Sequence, residues 1–223
     1  MISSEAKKLS ISTWIIFFDI SEPNLYELNI EIEELNILNI PTVTVLGDVC
    51  DEKLVEAIFK KYFVNVVFHA AAYKHVPIVE RNRMAGLKNN IFSTLALCKA
   101  SKKFNVEKFV LISTDKAVRP TNVMGLSKRI SELIVQNHSK NSKNTCFSMV
   151  RFGNVLGSSG SVVPLFKKQI SQGGPITLTH SKVIRYFMSL SEAAQLVIQT
   201  SELAEGGEVF LLDMGDPIFI KDL

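Results

Sequence analysis

The chain has 223 residues, a usual length for one domain, and 47 % of them are hydrophobic, which supports a sizeable core and argues against disorder. The net charge is only +3 and the basic residues are scattered, so the clustered basic face of a nucleic-acid binder is not expected. The apolar runs are too short for a secretory signal or a bilayer span, so no membrane segment is expected in this chain.

Strand-length apolar runs alternate with segments of helical period along the chain. Strands are predicted at residues 14–19, 43–47, 64–71, 108–114, 146–152 and 208–212. Helices are predicted at residues 24–38, 52–62, 84–104, 122–138, 162–172 and 190–203, with one more after Pro77. Because the strands are continuously apolar and separated by helices, the fold class is α/β, with a parallel sheet covered by helices on both faces.

Polar residues follow most of these strands, and ligands of open parallel sheets bind at the carboxyl ends of the strands. Asp19 ends the first predicted strand, where it could accept hydrogen bonds from a ribose or cap the next helix. Asp48 ends the second predicted strand and could contact adenine or, again, act as a cap. Both interpretations stay open for both residues.

Residues 69–76 (HAAAYKHV) follow the third predicted strand. The alanines Ala70, Ala71 and Ala72 would let a cofactor approach the backbone, although small residues are also common where helices pack on sheets. Lys74 and His75 could contact a phosphate or a sugar. A structural role is the simpler interpretation of the histidine that opens this segment.

Residues 113–128 (STDKAVRPTNVMGLSK) carry the strongest chemical signal. Asp115 and Lys116 lie at the end of a buried strand, where charges are costly unless paired or used, although a surface ion pair would also explain them. Met124 and Lys128 are four residues apart on the next helix and share a face. This is the YxxxK spacing of short-chain dehydrogenases with methionine in the tyrosine position; by itself, the methionine would be a core residue.

Eight segments in order resemble the CapD family of polysaccharide-biosynthesis dehydratases, which act on UDP-N-acetylglucosamine. The matching segments are FDISEPNLYEL (18–28), GDV (47–49), FHAAAYKHVPIVE (68–80), STDKAVRPTNVMGLSKR (113–129), RFGNVLGSSGSVVPLF (151–166), PITLTH (175–180), RYFMS (185–189) and EAAQLVIQ (192–199). Each segment alone is moderately specific, but their shared order covers nearly the whole chain.

The resemblance implies a Rossmann-like doubly wound parallel sheet that binds NAD or NADP over residues 1–155, and a small lobe that binds the UDP-sugar over residues 156–223. It implies a 4,6-dehydratase of surface-polysaccharide biosynthesis, which oxidises C4, eliminates water across C5 and C6, and returns the hydride. It also implies a homo-oligomer, and a parent protein that could be anchored to the inner face of the cell membrane.

The resemblance also assigns roles to residues. Asp115 is the expected acid at the C6 hydroxyl, Lys116 the base at C5, and Thr114 a hydrogen-bonding partner of the sugar oxygen. Lys128 would hold the nicotinamide ribose; since Met124 cannot take a proton, Thr114, Ser113 or a water molecule would do so. The expected cofactor contacts are Asp19, Asp48, Val49, Ala70, Ala71, Ala72, Asn90 and Lys128. The expected substrate contacts are Lys74, His75, Asn154, Ser161, Val162 and Arg185.

The chain departs from the family at its beginning, because no GxGxxG motif is present and Ser3 stands where the last glycine would be. We therefore expect an N-terminally truncated sheet that lacks its first, central strand, with two neighbouring strands left unpaired. A nucleotide-sugar 4-epimerase and an inactive truncated remnant stay as alternative functions.

The cysteines Cys50, Cys98 and Cys146 are odd in number and show no metal-binding spacing. We expect them to be reduced in a cytoplasmic protein that has no metal site.

Overall fold

The structure is a computed structural model that describes residues 14–35, 40–158, 160–178 and 180–222. Its strands are Ile15–Asp19 (β1), Thr42–Leu46 (β2), Val66–His69 (β3), Lys108–Ile112 (β4), Cys146–Arg151 (β5), Asn154–Val155 (β6), Ile184–Arg185 (β7), Phe187–Met188 (β8), Val209–Leu211 (β9) and Ile218–Phe219 (β10). Its α-helices are Glu22–Leu35 (α1), Glu52–Tyr62 (α2), Val76–Arg81 (α3), Arg83–Leu87 (α4), Ser93–Lys103 (α5), Val123–Lys140 (α6), Val162–Ser171 (α7) and Leu190–Leu203 (α8).

The main sheet contains four parallel strands in the order β3-β4-β5-β9, which confirms the predicted parallel α/β architecture. β1 and β2 pair in parallel as a separate two-stranded sheet. Residues of β1 and β3 line one cavity of about 1070 Å³, which we call the larger cavity. Within the described residues, β1 pairs with β2 alone and β3 with β4 alone, so one edge of each strand is unpaired.

Helices cover both faces of the main sheet because the strand side chains alternate in direction. Phe109 and Leu111 of β4 belong to a core that includes residues of α2, α5 and α6. Val110, between them in sequence, packs instead in a second cluster with Val197 of α8. All three β4 side chains are fully buried, and each contributes about 1.5–3 kcal/mol by leaving water. The predicted doubly wound arrangement is thus confirmed.

The helix predicted at residues 84–104 forms, but it is interrupted. A π-helical turn at Lys88–Phe92 separates α4 from α5. Such turns shift the register of a helix and are frequent at functional sites. Here the turn contains the buried Asn90, whose side chain bonds outside the helix.

Part of the segment 156–223 returns to the main sheet. β9 pairs with β5, and α8 contacts β4 and β5. The rest contains α7 and the short strands β7, β8 and β10. β7 pairs with β10, and β8 pairs with β6, which lies just before this segment. None of these four short strands was predicted. Strands of two residues have no periodicity to detect. The boundary at residue 155 between a cofactor-binding domain and a substrate-binding lobe stays a prediction. Ser3, predicted to stand in place of the last glycine of the glycine motif, lies outside the described residues.

Candidate active site

A second cavity, of about 510 Å³, lies beyond the carboxyl ends of β3, β4 and β5, and we call it the smaller cavity. Four residues predicted to be catalytic line it: Thr114, Lys116, Met124 and Lys128. All six predicted substrate residues line it too: Lys74, His75, Asn154, Ser161, Val162 and Arg185. Residues up to 111 positions apart in the sequence thus meet beyond the edge where the parallel strands end.

The larger cavity contains the other predicted group. Asp19, Asp48, Val49 and the alanines Ala70, Ala71 and Ala72 line it. Ala70 and Ala72 line both cavities, so the two spaces adjoin at the alanine segment. Six of the eight predicted cofactor residues therefore line the larger cavity, whereas Lys128 lines the smaller cavity with the predicted substrate residues.

The two aspartates of the larger cavity each make a local turn contact. Asp19 Oδ1 accepts a hydrogen bond from the backbone N–H of Ser21 at 2.8 Å. Asp48 Oδ1 accepts one from the backbone N–H of Cys50 at 2.8 Å. A carboxylate can accept several hydrogen bonds, so these turn contacts leave acceptor capacity at both strand ends. Each residue thus stabilises its turn and keeps the capacity to bind a hydroxyl.

Asp115 and Lys116 form an ion pair directly after β4. Lys116 Nζ donates to Asp115 Oδ1 at 2.9 Å, and Thr114 Oγ1 donates to the same oxygen at 2.9 Å. Partial burial raises the pKa of the Asp115 carboxyl, but the hydrogen bonds from Lys116 and Thr114 outweigh it and hold the pKa below its usual value. In this state the pair carries its proton on lysine.

Helix α6 packs tightly against the turn that presents this pair. Its N-cap, Asn122, accepts a hydrogen bond from the N–H of Gly125 at 2.8 Å. A Cβ atom on Gly125 would lie 2.3 Å from the carbonyl oxygen of Lys116, which is closer than atoms can approach. Glycine at this position is therefore required for the helix to reach the Asp115–Lys116 turn.

Lys128, on α6, is almost fully buried, with 5 % of its surface exposed. Burial lowers the pKa of its ammonium group from 10.5 to about 8, and the charge of Glu132 opposes that lowering. Met124, one turn earlier, is buried beside the same cavity. The predicted shared face of these two residues is confirmed.

Asn90 lines neither cavity, although it was predicted to contact the cofactor. Its side chain accepts from Tyr73 N at 2.7 Å and donates to Tyr73 O at 3.1 Å and to Ser127 Oγ at 2.8 Å. Since the residue is 1 % exposed, its amide connects the segment after β3 to α6. The geometry supports an indirect role, in which Asn90 fixes the position of the alanine segment.

Other features of the smaller cavity were missed. Leu178, Val183, Phe187 and Ile220 form part of its apolar wall, and none of them was predicted as a site residue. Gly160 has a φ of +67°, and a Cβ there would lie 2.4 Å from His75 Cε1. The sequence gives no sign that the His75 imidazole lies against Gly160.

In the described ranges, no cluster of three or more His, Cys, Asp and Glu side chains is arranged to hold a metal ion. Over the same ranges, none of the helices combines the length and apolarity needed to span a membrane.

Fold and site together define a Rossmann-type protein of the short-chain dehydrogenase/reductase class. Within that class, the chain belongs to the polysaccharide biosynthesis protein family, whose model matches residues 4–223.

Curated relatives point to nucleotide sugars. The chain is 46 % identical over 209 residues to the capsular polysaccharide biosynthesis protein CapD of Staphylococcus aureus, covering 94 % of this chain and 35 % of that protein. It is 37 % identical to an inverting UDP-N-acetylglucosamine 4,6-dehydratase of Campylobacter jejuni, covering 81 % of this chain and 55 % of the relative. It is 39 % identical to a UDP-glucose 4-epimerase of Rickettsia rickettsii, covering 74 % of this chain and 49 % of that protein. The chain thus spans about a third to a little over half of these relatives.

Solved structures support the fold. The X-ray structure of Pen from Bacillus thuringiensis is 36 % identical and superposes with a TM-score of 0.86, covering 95 % of this chain and 64 % of that one. A dTDP-glucose 4,6-dehydratase from Streptomyces venezuelae, solved with NAD, superposes with a TM-score of 0.81 at 18 % identity, covering 95 % and 69 %. At that identity the second likeness shows the fold alone.

Proposed function

We propose that this chain forms the catalytic part of a nucleotide-sugar 4,6-dehydratase that acts on UDP-N-acetylglucosamine in surface-polysaccharide biosynthesis. The observation that carries the proposal is the Asp115–Lys116 pair, whose lysine lines the same cavity as Lys128. An elimination across C5 and C6 needs an acid and a base close together, and this pair supplies both. The similarity to the Campylobacter dehydratase supports the substrate class.

A nicotinamide dinucleotide, NAD or NADP, is the proposed cofactor, and the larger cavity fits its adenosine end. Asp19 and Asp48 end two paired strands there, with acceptor oxygens for ribose and adenine groups. The side chains of Ala70, Ala71 and Ala72 leave room for a ligand to pass from the larger cavity to the smaller one. Such a cofactor supplies reversible hydride transfer when bound. The acidic Asp19 favours NAD.

In the proposed elimination, one proton moves within the ion pair before the chemistry. Lys116 Nζ donates its proton to Asp115 along their 2.9 Å hydrogen bond, which leaves a neutral amine and a protonated carboxyl group. The amine then takes the C5 proton, made acidic by a neighbouring C4 ketone, while Asp115 protonates the departing C6 hydroxyl. Water is released, and the pair returns to lysine ammonium and aspartate.

On the substrate side, we propose that Lys74, His75 and Arg185 bind the diphosphate and the sugar. All three line the smaller cavity, and Arg185 is exposed, so its guanidinium is accessible to a ligand. A planar guanidinium suits bidentate contact with phosphate oxygens. Ser161 precedes α7, where free backbone N–H groups favour an anion, and its own hydroxyl is buried without a partner.

A UDP-sugar 4-epimerase is the second candidate, favoured by the similarity to the Rickettsia epimerases. An epimerase needs no acid and base at C5 and C6, so the Asp115–Lys116 pair argues for the dehydratase. An inactive remnant is the third candidate.

One assay separates the three candidates. The purified chain is supplied with UDP-N-acetylglucosamine and NAD or NADP, and the products are examined by mass spectrometry, with Lys116→Ala as the control. A product lighter by one water, absent in the control, supports the dehydratase, whereas an isomer of unchanged mass that separates from the substrate by chromatography supports the epimerase. If nothing forms, the assay is repeated on a chain extended at its N-terminus by an apolar strand and a glycine loop. If the extended chain also forms no product, the inactive remnant is supported.

A further inference from the structure

Glu132 carries a fully buried charge that the proposed chemistry does not use. It lies on α6 four residues after Lys128, and none of its surface is exposed. Arg151, at the end of β5, donates to its carboxylate through Nε at 2.7 Å and Nη2 at 2.5 Å. Arg129 donates through Nη1 at 2.9 Å. A buried carboxylate with two arginine partners is fully ionised and can only accept hydrogen bonds.

The fourth hydrogen bond to Glu132 comes from Ser113, and it connects this network to the smaller cavity. Ser113 follows β4 directly, is 4 % exposed and lines the cavity. Its Oγ lies 2.6 Å from Glu132 Oε1. Because Glu132 has no proton to give, the serine hydroxyl must be the donor, and its hydrogen points away from the ligand.

The direction of that hydrogen has a chemical consequence. Burial raises the pKa of Glu132, but the hydrogen bonds from Arg151, Ser113 and Arg129 outweigh it, so the carboxyl stays ionised near neutral pH. Ser113 Oγ therefore keeps its lone pairs for a donor in the cavity. Met124, on the wall of the same cavity, offers only a thioether, which is a weak acceptor.

We propose that Glu132 is a positioning residue that holds Ser113 as a hydrogen-bond acceptor for a hydroxyl group of the bound sugar. The inference rests on the proposed nucleotide-sugar function and identifies one of its specificity contacts. It assigns to Ser113 the acceptor role that the methionine cannot fill. A sugar hydroxyl can donate this hydrogen bond, whereas the diphosphate of the ligand has no hydrogen to offer.

The test compares the binding of UDP-N-acetylglucosamine and of UDP by titration calorimetry, without turnover. Ser113→Ala and Glu132→Gln are expected to weaken the binding of UDP-N-acetylglucosamine by about tenfold. The same variants are expected to change the binding of UDP by less than about twofold. Ser113→Thr, which keeps a hydroxyl, is expected to restore binding. Arg129→Gln is the matched control, because it removes one bond to the same carboxylate without touching Ser113.

A double variant tests whether Glu132 acts through the serine. Glu132→Gln added to Ser113→Ala is expected to cause no further loss, because the shared contact is already gone. Urea unfolding identifies any variant that fails to fold, and Ser113→Ala keeps both arginine pairs. A network that only stabilises the fold would lower stability while affecting both ligands equally, and that result would overturn the inference. If the unaltered chain binds neither ligand, the proposed function fails, and this inference fails with it.

Discussion

Lys128 provides a quantitative prediction, because burying its charged ammonium group lowers the free energy of unfolding. The lowering of its pKa from 10.5 to about 8 corresponds to about 3 kcal/mol, at about 1.4 kcal/mol for each tenfold change in the ionisation constant. Lys128→Met keeps the length of the side chain and removes the charge. Near neutral pH we therefore expect the variant to be more stable than the unaltered chain, by up to about 3 kcal/mol.

The stability difference between Lys128→Met and the unaltered chain is expected to depend on pH in one direction. Below about pH 8 both the folded and the unfolded chain hold the proton of Lys128, so this group does not make the free energy of unfolding depend on pH. Between about pH 8 and 10.5 the folded chain has lost the proton and the unfolded chain keeps it, so a rise in pH stabilises the folded state. The advantage of Lys128→Met should therefore shrink across this window and fall below about 1 kcal/mol near pH 10.

Urea unfolding at the two pH values measures the difference directly. Lys140→Met, at the exposed end of the same helix, is the matched control and is expected to change stability by less than about 0.5 kcal/mol at both. A variant less stable than the unaltered chain near neutral pH, or a difference that does not change with pH, would refute the buried-charge argument. A confirmed gain would mean that Lys128 is kept for function, since the fold is better without its charge.

Three further predictions concern the site. Asn90→Ala leaves buried partners unpaired and is expected to lower the free energy of unfolding by about 2–3 kcal/mol, measured in urea. Gly125→Ala forces α6 away from the Lys116 carbonyl and is expected to reduce product formation by at least about tenfold; unchanged activity would show that this contact is dispensable. Arg185→Gln is expected to weaken UDP binding by about tenfold in calorimetry, while Arg119→Gln, exposed and outside both cavities, should leave it unchanged.

Much of the fold followed from the sequence because its signals are local. Five long apolar runs gave β1 to β5, and their spacing by helices gave the parallel direction. The short strands β6, β7, β8 and β10 were missed, because two residues held by partners distant in sequence carry no pattern of their own.

Site residues that directly follow a strand could be predicted from the sequence. Thr114 and Lys116 follow β4, and the edge of a parallel sheet brings such residues together whatever their distance in sequence. Motif resemblance supplied their chemical roles, which no spacing could have given.

Tertiary structure alone decided the direction and environment of individual side chains. The cofactor contact of Asn90 stays a prediction, and the structure adds that its amide, within the π-helical turn, bonds Tyr73 and Ser127. No sequence pattern singles out Glu132, and its burial beside Arg151 and Ser113 is visible in the structure alone. Sequence determines which groups a segment carries, but burial and hydrogen-bond partners depend on elements that meet only after folding, so the electrostatics of the site follow from the fold.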